Sequence, residues 1–186
     1  AEADYLAGII GGENVFYTLE DAVATGKKFD MVYGIHVFEH FEHPLKELEI
    51  IRLLLKPGGF LFLEMPNHDD FYIHALPEEK KKKYMEFMYH KAHPFYYNRK
   101  SFSSIINKSN YSVEYVKTRQ DYPIVNFFHW LLNGMPQKNI SDATFLGVEK
   151  ENSDAWQLMN KLDENFRDFI ERTGYGCSLV CLLKAP

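Results

Sequence analysis

Phe29-Asp-Met-Val-Tyr-Gly-Ile35, a polar turn, a periodic stretch over 45–55, the turn Lys56-Pro-Gly-Gly59 and then Phe60-Leu-Phe-Leu-Glu-Met65 decide the fold of this chain. Both flanking runs are apolar nearly throughout, the mark of strands covered on both faces. Between them, apolar residues at 45, 48, 51, 54 and 55 repeat with the helical period. Strand, crossover helix and strand joined this way make a parallel pair. Ligands on such sheets bind beyond the carboxyl ends of the strands.

Outward from this unit the alternation continues. On the amino-terminal side, 3–10 reads as a short helix ending at Gly11-Gly12, and Asn14-Val-Phe-Tyr-Thr18 reads as a buried strand. One or two helical turns over 19–24 close at Gly26. On the carboxyl-terminal side, the charge run Glu78-Glu-Lys-Lys-Lys-Lys83 opens a helix to about Tyr89. Helices are expected over 99–109, 123–132 and 154–171, and strands over 112–117 and 177–183. The expected fold class is therefore α/β, a mostly parallel sheet with helices on both faces. The strand tips at 18, 35 and 65 should converge on one cleft.

Composition narrows the function. The chain has 186 residues, 46% hydrophobic and 25% charged, which suits one folded domain spanning 1–186. A net charge of −5 argues against nucleic acid or an anionic membrane as the main partner. No apolar run approaches the ~20 residues that cross a bilayer, and no signal peptide is visible. Cys177 and Cys181 fit two reduced thiols in a final strand, so a cytoplasmic location is expected. A small molecule is the expected partner; the oligomeric state is not readable. Aromatics are 16% of the chain and crowd between Phe71 and Tyr122. Phe71, Tyr72, Tyr89, Phe95, Tyr96, Tyr97 and Tyr122 are expected either to wall an acceptor site or to form an ordinary core, with a helical insert over 68–95.

The run from Phe29 through His36-Val-Phe-Glu-His-Phe-Glu-His-Pro44 to Leu55-Lys-Pro-Gly-Gly-Phe-Leu-Phe-Leu-Glu-Met-Pro-Asn67 resembles class I S-adenosylmethionine-dependent methyltransferases. So do His93-Pro-Phe-Tyr-Tyr-Asn-Arg-Lys-Ser-Phe102, Tyr111-Ser-Val-Glu114 and the closing strand. The resemblance implies a Rossmann-like fold and S-adenosylmethionine as cofactor. It implies methyl transfer to an oxygen or nitrogen of a small molecule, such as a sugar or another biosynthetic intermediate. Gly11-Gly12 is not the family's glycine-rich cofactor loop, since no strand precedes it. Against the family pattern, Ala1 falls just past the second strand, and the chain matches the carboxyl-terminal two-thirds of the domain. Residues so placed should bind the cofactor poorly by themselves, and a non-catalytic methyltransferase-like binding module is the competing expectation.

By the resemblance, Thr18, Leu19 and Glu20 would face the adenine, while Gly34, Ile35 and His36 would line the methionine side. A carboxylate at 20 can accept from the adenine amino group. Equally, Glu20 and Asp21 are acids in a first helical turn, where the helix dipole favours them. Gly34 permits close backbone approach.

His36, Glu39, His40, Glu42 and His43 lie within eight residues. They are readable as a polar loop-to-helix transition. They also match the H-x-x-E-H pattern of inverted zinc peptidases, a hydrolase reading that needs a long helix to align the two histidines. In small-RNA 2′-O-methyltransferases and ubiquinone O-methyltransferases, an E-x-x-E-H segment at this place binds a divalent ion. There the resemblance puts His36, Glu39 and His40 on the ligand positions and His93 on a downstream one. Such a donor set suits zinc, iron, manganese or cobalt better than magnesium. Without metal, His40 or His93 is the candidate general base, because an imidazole titrates near neutrality.

Overall fold

The computed structural model describes residues 2–137 and 154–186. Its elements are α1 (Glu2–Ile10), α2 (Leu19–Ala24), β1 (Phe29–Ile35), α3 (Pro44–Leu54), β2 (Leu55–Pro66), α4 (Phe71–Ala75), α5 (Glu78–Met88), α6 (Arg99–Ile106), β3 (Ser112–Arg119), α7 (Ile124–Asn133), α8 (Asp154–Thr173) and β4 (Ser178–Lys184). The strands form one sheet in the order β1-β2-β4-β3. β1 and β2 pair in parallel through α3, with Val32 opposite Leu61 and Gly34 opposite Leu63. β4 lies antiparallel to both β2 and β3. Three strands therefore point one way, and the ends of β1, β2 and β3 share one edge of the sheet.

Local chemistry explains the elements. Pro44 opens α3, where its missing N–H costs nothing, and Leu48, Ile51 and Leu54 bury its inner stripe. Asn98 and Ser101 form a reciprocal capping box at the start of α6, with bonds of 2.8 and 2.9 Å. β2 begins earlier than expected, at Leu55, and takes up the Lys56-Pro-Gly-Gly59 turn. Gly58 sits at φ 73°, and a Cβ on Gly59 would come within 3.1 Å of the Asp30 carbonyl oxygen. The turn thus depends on glycine for both conformation and room.

Leu61, Leu63 and Met65 of β2 join Leu179, Cys181 and Leu183 of β4 under Leu48, Ile51, Phe102 and Ile106. A second cluster gathers Tyr72, Leu76, Tyr84 and Trp130, with Phe71, Phe127 and Phe166 against it. The expected α/β architecture is present. Two expectations are corrected. The segment 14–18 is not a strand: a 3-10 turn covers Gly12–Asn14, and Thr18 is the N-cap of α2. Its strand-forming residues lack a neighbour to pair with among the described residues, so propensity has nothing to act on. β1 is not covered on both faces either, since Met31, Tyr33 and Ile35 are 49%, 72% and 50% exposed. The expectation attached to Ala1 lies outside the described residues. No described helix is long and apolar enough to cross a membrane.

Candidate functional site

The chain leaves β1 at Ile35 and bends at His36, which adopts φ 52°. A non-glycine residue there costs on the order of 1 kcal/mol. The His36 amide still donates to the Glu64 carbonyl at 2.9 Å, so the bend begins hard against β2. One 3-10 turn follows, Phe38–His40. Phe38 is fully buried against Phe41, Tyr97 and Phe102 at ring separations of 5.7, 5.3 and 5.8 Å. That anchor carries its neighbour Glu39 inside, leaving it 1% exposed. A single tight turn is not the long helix that the zinc-peptidase pattern requires, and that reading is set aside.

A second segment closes on the first. Asn67 bridges to Tyr97, and the His68 amide donates to the Tyr97 carbonyl at 2.8 Å. This ties 93–97 to the end of β2. His40 Nδ1 contacts the Ala92 carbonyl at 3.0 Å, tying the same segment to the turn after β1. His40 and His93 consequently meet at right angles, their ring centroids 4.5 Å apart. Glu39, His40 and His93 each offer a ligand atom within 4.8 Å of the others. Fifty-three residues of sequence separate His40 from His93, so only the fold makes them neighbours.

The electrostatics are lopsided. Both Glu39 oxygens are buried without a hydrogen-bond partner. The His36 Nδ1 stands 3.4 Å from Glu39 Oε1, near enough to interact when protonated but not hydrogen-bonded. Burial depresses the His93 pKa; Glu39 opposes that shift, and His40, His90 and His36 add to it. Burial thus favours the neutral His93 ring over the charged one. The Tyr97 hydroxyl is likewise buried and unpartnered, and burial together with Glu39 pushes it up to about 12.

His36 stands outside this group of three, beside Glu39. The aromatic residues divide. Tyr72 and Tyr97 are core, at 0% and 3% exposure, and Phe71 packs into the second cluster. Tyr96 and Tyr89 stand by the histidines: Tyr96 contacts His93 at 2.8 Å and Tyr89 contacts His68 at 2.7 Å. The residues expected at the adenine stand at the start of α2. The Thr18 hydroxyl accepts from the Asp21 amide at 3.0 Å, as a helix cap does. Leu19 packs on the main core, and Glu20 is exposed with Lys46 at 3.9 Å. Gly34 has Leu63 and Val37 at ordinary contact distance of any added Cβ.

One buried group escaped the sequence reading. Glu64, 1% exposed, receives two bonds from Arg119, at 2.9 and 2.5 Å, across β4. Arg119 also donates to Asp121 at 2.6 Å. An acid inside the apolar run Phe60-Leu-Phe-Leu-Glu-Met65 was the available signal, because a buried carboxylate requires a partner.

A parallel strand pair with its polar cluster beyond the carboxyl ends defines an α/β protein of the kind that binds ligands at strand tips. The chain belongs to the methyltransferase domain family, whose profile matches residues 5–116. It is 42% identical over 52 residues to the ubiquinone biosynthesis O-methyltransferase of Cereibacter sphaeroides (strain ATCC 17025 / ATH 2.4.3), a match covering 28% of this chain and 21% of that enzyme. Among solved structures, it is similar to a candidate sarcosine dimethylglycine methyltransferase from Galdieria sulphuraria. The TM-score is 0.50 at 14% identity, covering 97% of this chain and 63% of that one. A SAM-dependent methyltransferase from Archaeoglobus fulgidus gives a TM-score of 0.46 at 14% identity, over 91% and 66%. At such identities the structural likeness speaks of fold alone.

Proposed function

We propose that this protein transfers a methyl group from S-adenosylmethionine to an oxygen, or less readily a nitrogen, of a small biosynthetic intermediate. The acceptor would meet the donor beside Glu39, His40 and His93. The observation that carries this reading is the unpartnered Glu39 carboxylate facing two histidines beyond the end of β1. The stretch shared with an O-methyltransferase of ubiquinone biosynthesis favours a hydroxyl acceptor.

The donor set fits a divalent cation. A buried carboxylate without a bond is costly unless something positive completes it, and two imidazoles with one carboxylate suit zinc, iron, manganese or cobalt. Glu39, His40 and His93 would hold it, and a cation there would lower the pKa of a substrate hydroxyl and orient it. His36 would balance the outer side of Glu39. In a metal-free protein the same residues serve otherwise: His93, whose neutral ring is favoured by burial, accepts the acceptor's proton as the methyl group moves. Gly34 and Ile35 would line the methionine side of the donor, with Thr18, Leu19 and Glu20 at its adenine. Tyr89 and Tyr96 would bound the acceptor, with the helices over 68–95 above it. Methyl transfer from a sulfonium needs chiefly in-line alignment and exclusion of water, which an apolar wall supplies.

Titration of the intact natural protein with S-adenosylmethionine and its demethylated product comes first. Transfer of labelled methyl to catechol, sugar and amine acceptors follows. Micromolar binding of both ligands with label in a hydroxyl acceptor is expected. Absence of binding to either would select the non-catalytic module instead.

A further inference from the structure

Tyr96 makes three contacts through one hydroxyl. It donates to the Met88 carbonyl at 2.9 Å, accepts from the His90 amide at 2.7 Å, and lies 2.8 Å from His93 Nδ1. A phenol has one proton to give. A carbonyl cannot donate and an amide cannot accept, so that proton goes to Met88. The third contact then needs its hydrogen from the imidazole, which makes Nδ1 the protonated nitrogen of His93. The alternative would aim the hydroxyl at His93 and leave two oxygens facing one another at 2.9 Å with no proton between them.

The same accounting applies to His40. Its Nδ1 meets the Ala92 carbonyl at 3.0 Å, and only an N–H can bond there. Both imidazoles therefore carry a proton on Nδ1, so that in the neutral ring Nε2 is the nitrogen with the lone pair. Beside them, Glu39 has two unpartnered oxygens. Tyr96 is itself held by the turn that follows α5, so the setting is built into the fold.

We propose that Tyr96 is a positioning residue: it fixes the tautomer and orientation of His93, as the Ala92 carbonyl does for His40, so that each ring offers Nε2 to one divalent cation shared with Glu39. The proposal rests on the metal reading given above and adds the residue that prepares the ligands for it. An outer hydrogen bond of this kind raises the basicity of the ligating nitrogen, and its loss lowers metal affinity 10–100-fold in comparable sites.

The experiment has two arms on chelator-treated protein. Long-range proton–nitrogen NMR on the wild type should show His93 protonated at Nδ1 and bare at Nε2. The Tyr96→Phe variant should show a mixture of tautomers. A wild-type His93 protonated at Nε2, or a Tyr96→Phe spectrum unchanged at His93, overturns the proposal. In the second arm Co²⁺ is titrated by its visible absorption. The wild type should bind one ion, Tyr96→Phe should bind it 10–100-fold more weakly, and Tyr175→Phe, whose ring packs on His74 instead, should match the wild type. Equal Co²⁺ affinity in Tyr96→Phe and wild type overturns the positioning role while the metal reading stands. No Co²⁺ uptake by the wild type overturns the metal reading, and the first arm then decides whether Tyr96 sets the ring. Thermal melting of metal-free Tyr96→Phe, expected at the wild-type midpoint within a few degrees, separates a lost fold from a lost orientation.

Discussion

Glu39 and Glu64 are two buried carboxylates at neighbouring strand ends, each 1% exposed, and they live by opposite rules. Glu64 is closed off: Arg119 grips both its oxygens, and the pair locks β2 to β3 over the intervening β4. Glu39 has no hydrogen bond at all and sits among histidines. Asp70 stands between them in kind. It is fully buried and accepts from the Tyr72 amide at 2.8 Å and the Tyr84 hydroxyl at 2.5 Å, with no cation paired to it among the described residues. Burial alone therefore does not tell a structural acid from a functional one; the completeness of its bonding does. A satisfied carboxylate holds the fold, while an unsatisfied one stores a cost that a ligand can relieve.

That contrast can be broken at each acid. The largest effect is expected at Arg119→Ala, which strands Glu64 without a counterion. Breaking a buried pair costs ~3–5 kcal/mol, and half-exposed Arg119 puts this case at about 3. Urea unfolding at pH 7 measures it, and a loss below about 1 kcal/mol would show that Arg119 does not hold Glu64.

Asp70 comes next, through pH. Burial raises its pKa to about 6, against the opposing pull of the Tyr84 and Tyr72 bonds. The folded state thus binds the proton more tightly than the unfolded chain, whose carboxyl titrates near 3.8. The stabilising contribution is full below 3.8 and is lost as pH rises to about 6, a swing on the order of 3 kcal/mol. Wild-type stability minus that of Asp70→Asn, followed from pH 3.5 to 7.5, should fall through this window; a flat difference would refute it.

Glu39→Met sharpens the comparison from the other side. In chelator-treated protein at pH 8 it should raise stability by about 1–3 kcal/mol, because a buried carboxylate without a hydrogen bond gives way to an apolar side chain of similar length. The same change should abolish Co²⁺ binding. Destabilisation comparable to Arg119→Ala would place Glu39 among the structural acids.

The smallest effect belongs to Thr18→Ala, which removes a helix cap worth about 1 kcal/mol. Amide exchange should quicken over α2 and stay unchanged in β2. If S-adenosylmethionine binding falls while α2 remains protected, Thr18 contributes to the cofactor site and not only to the helix.

The unit of β1, α3 and β2 was legible because its signals are local. The helical period and the glycine turn after it act within a few residues. The failure at 14–18 has the complementary cause. A strand exists only by pairing, and Asn14-Val-Phe-Tyr-Thr18 carries strand propensity without a partner among the described residues. The exposed side of β1 misled in the same way: Met31, Tyr33 and Ile35 announce burial, but burial is a property of the surroundings.

The site was half readable. Glu39 and His40 are adjacent in the chain, and His93 was reached through a resemblance, whereas the role of Tyr96 follows from the fold of 88–97 and has no local signature. An acid inside an apolar strand marks Glu64, but its partner Arg119, 55 residues away, was out of reach of any local pattern.

By itself, then, the amino-acid sequence determined the α/β class, the crossover joining the two parallel strands, and a concentration of imidazoles and acids beyond the first of them, because backbone periodicity and turn chemistry are short-range. Only the tertiary structure decided which acid is neutralised and which is left open, and which partners the Nδ1 atoms of His40 and His93 meet. Those outcomes depend on hydrogen bonds between distant segments, and a proton's place is settled by everything around it.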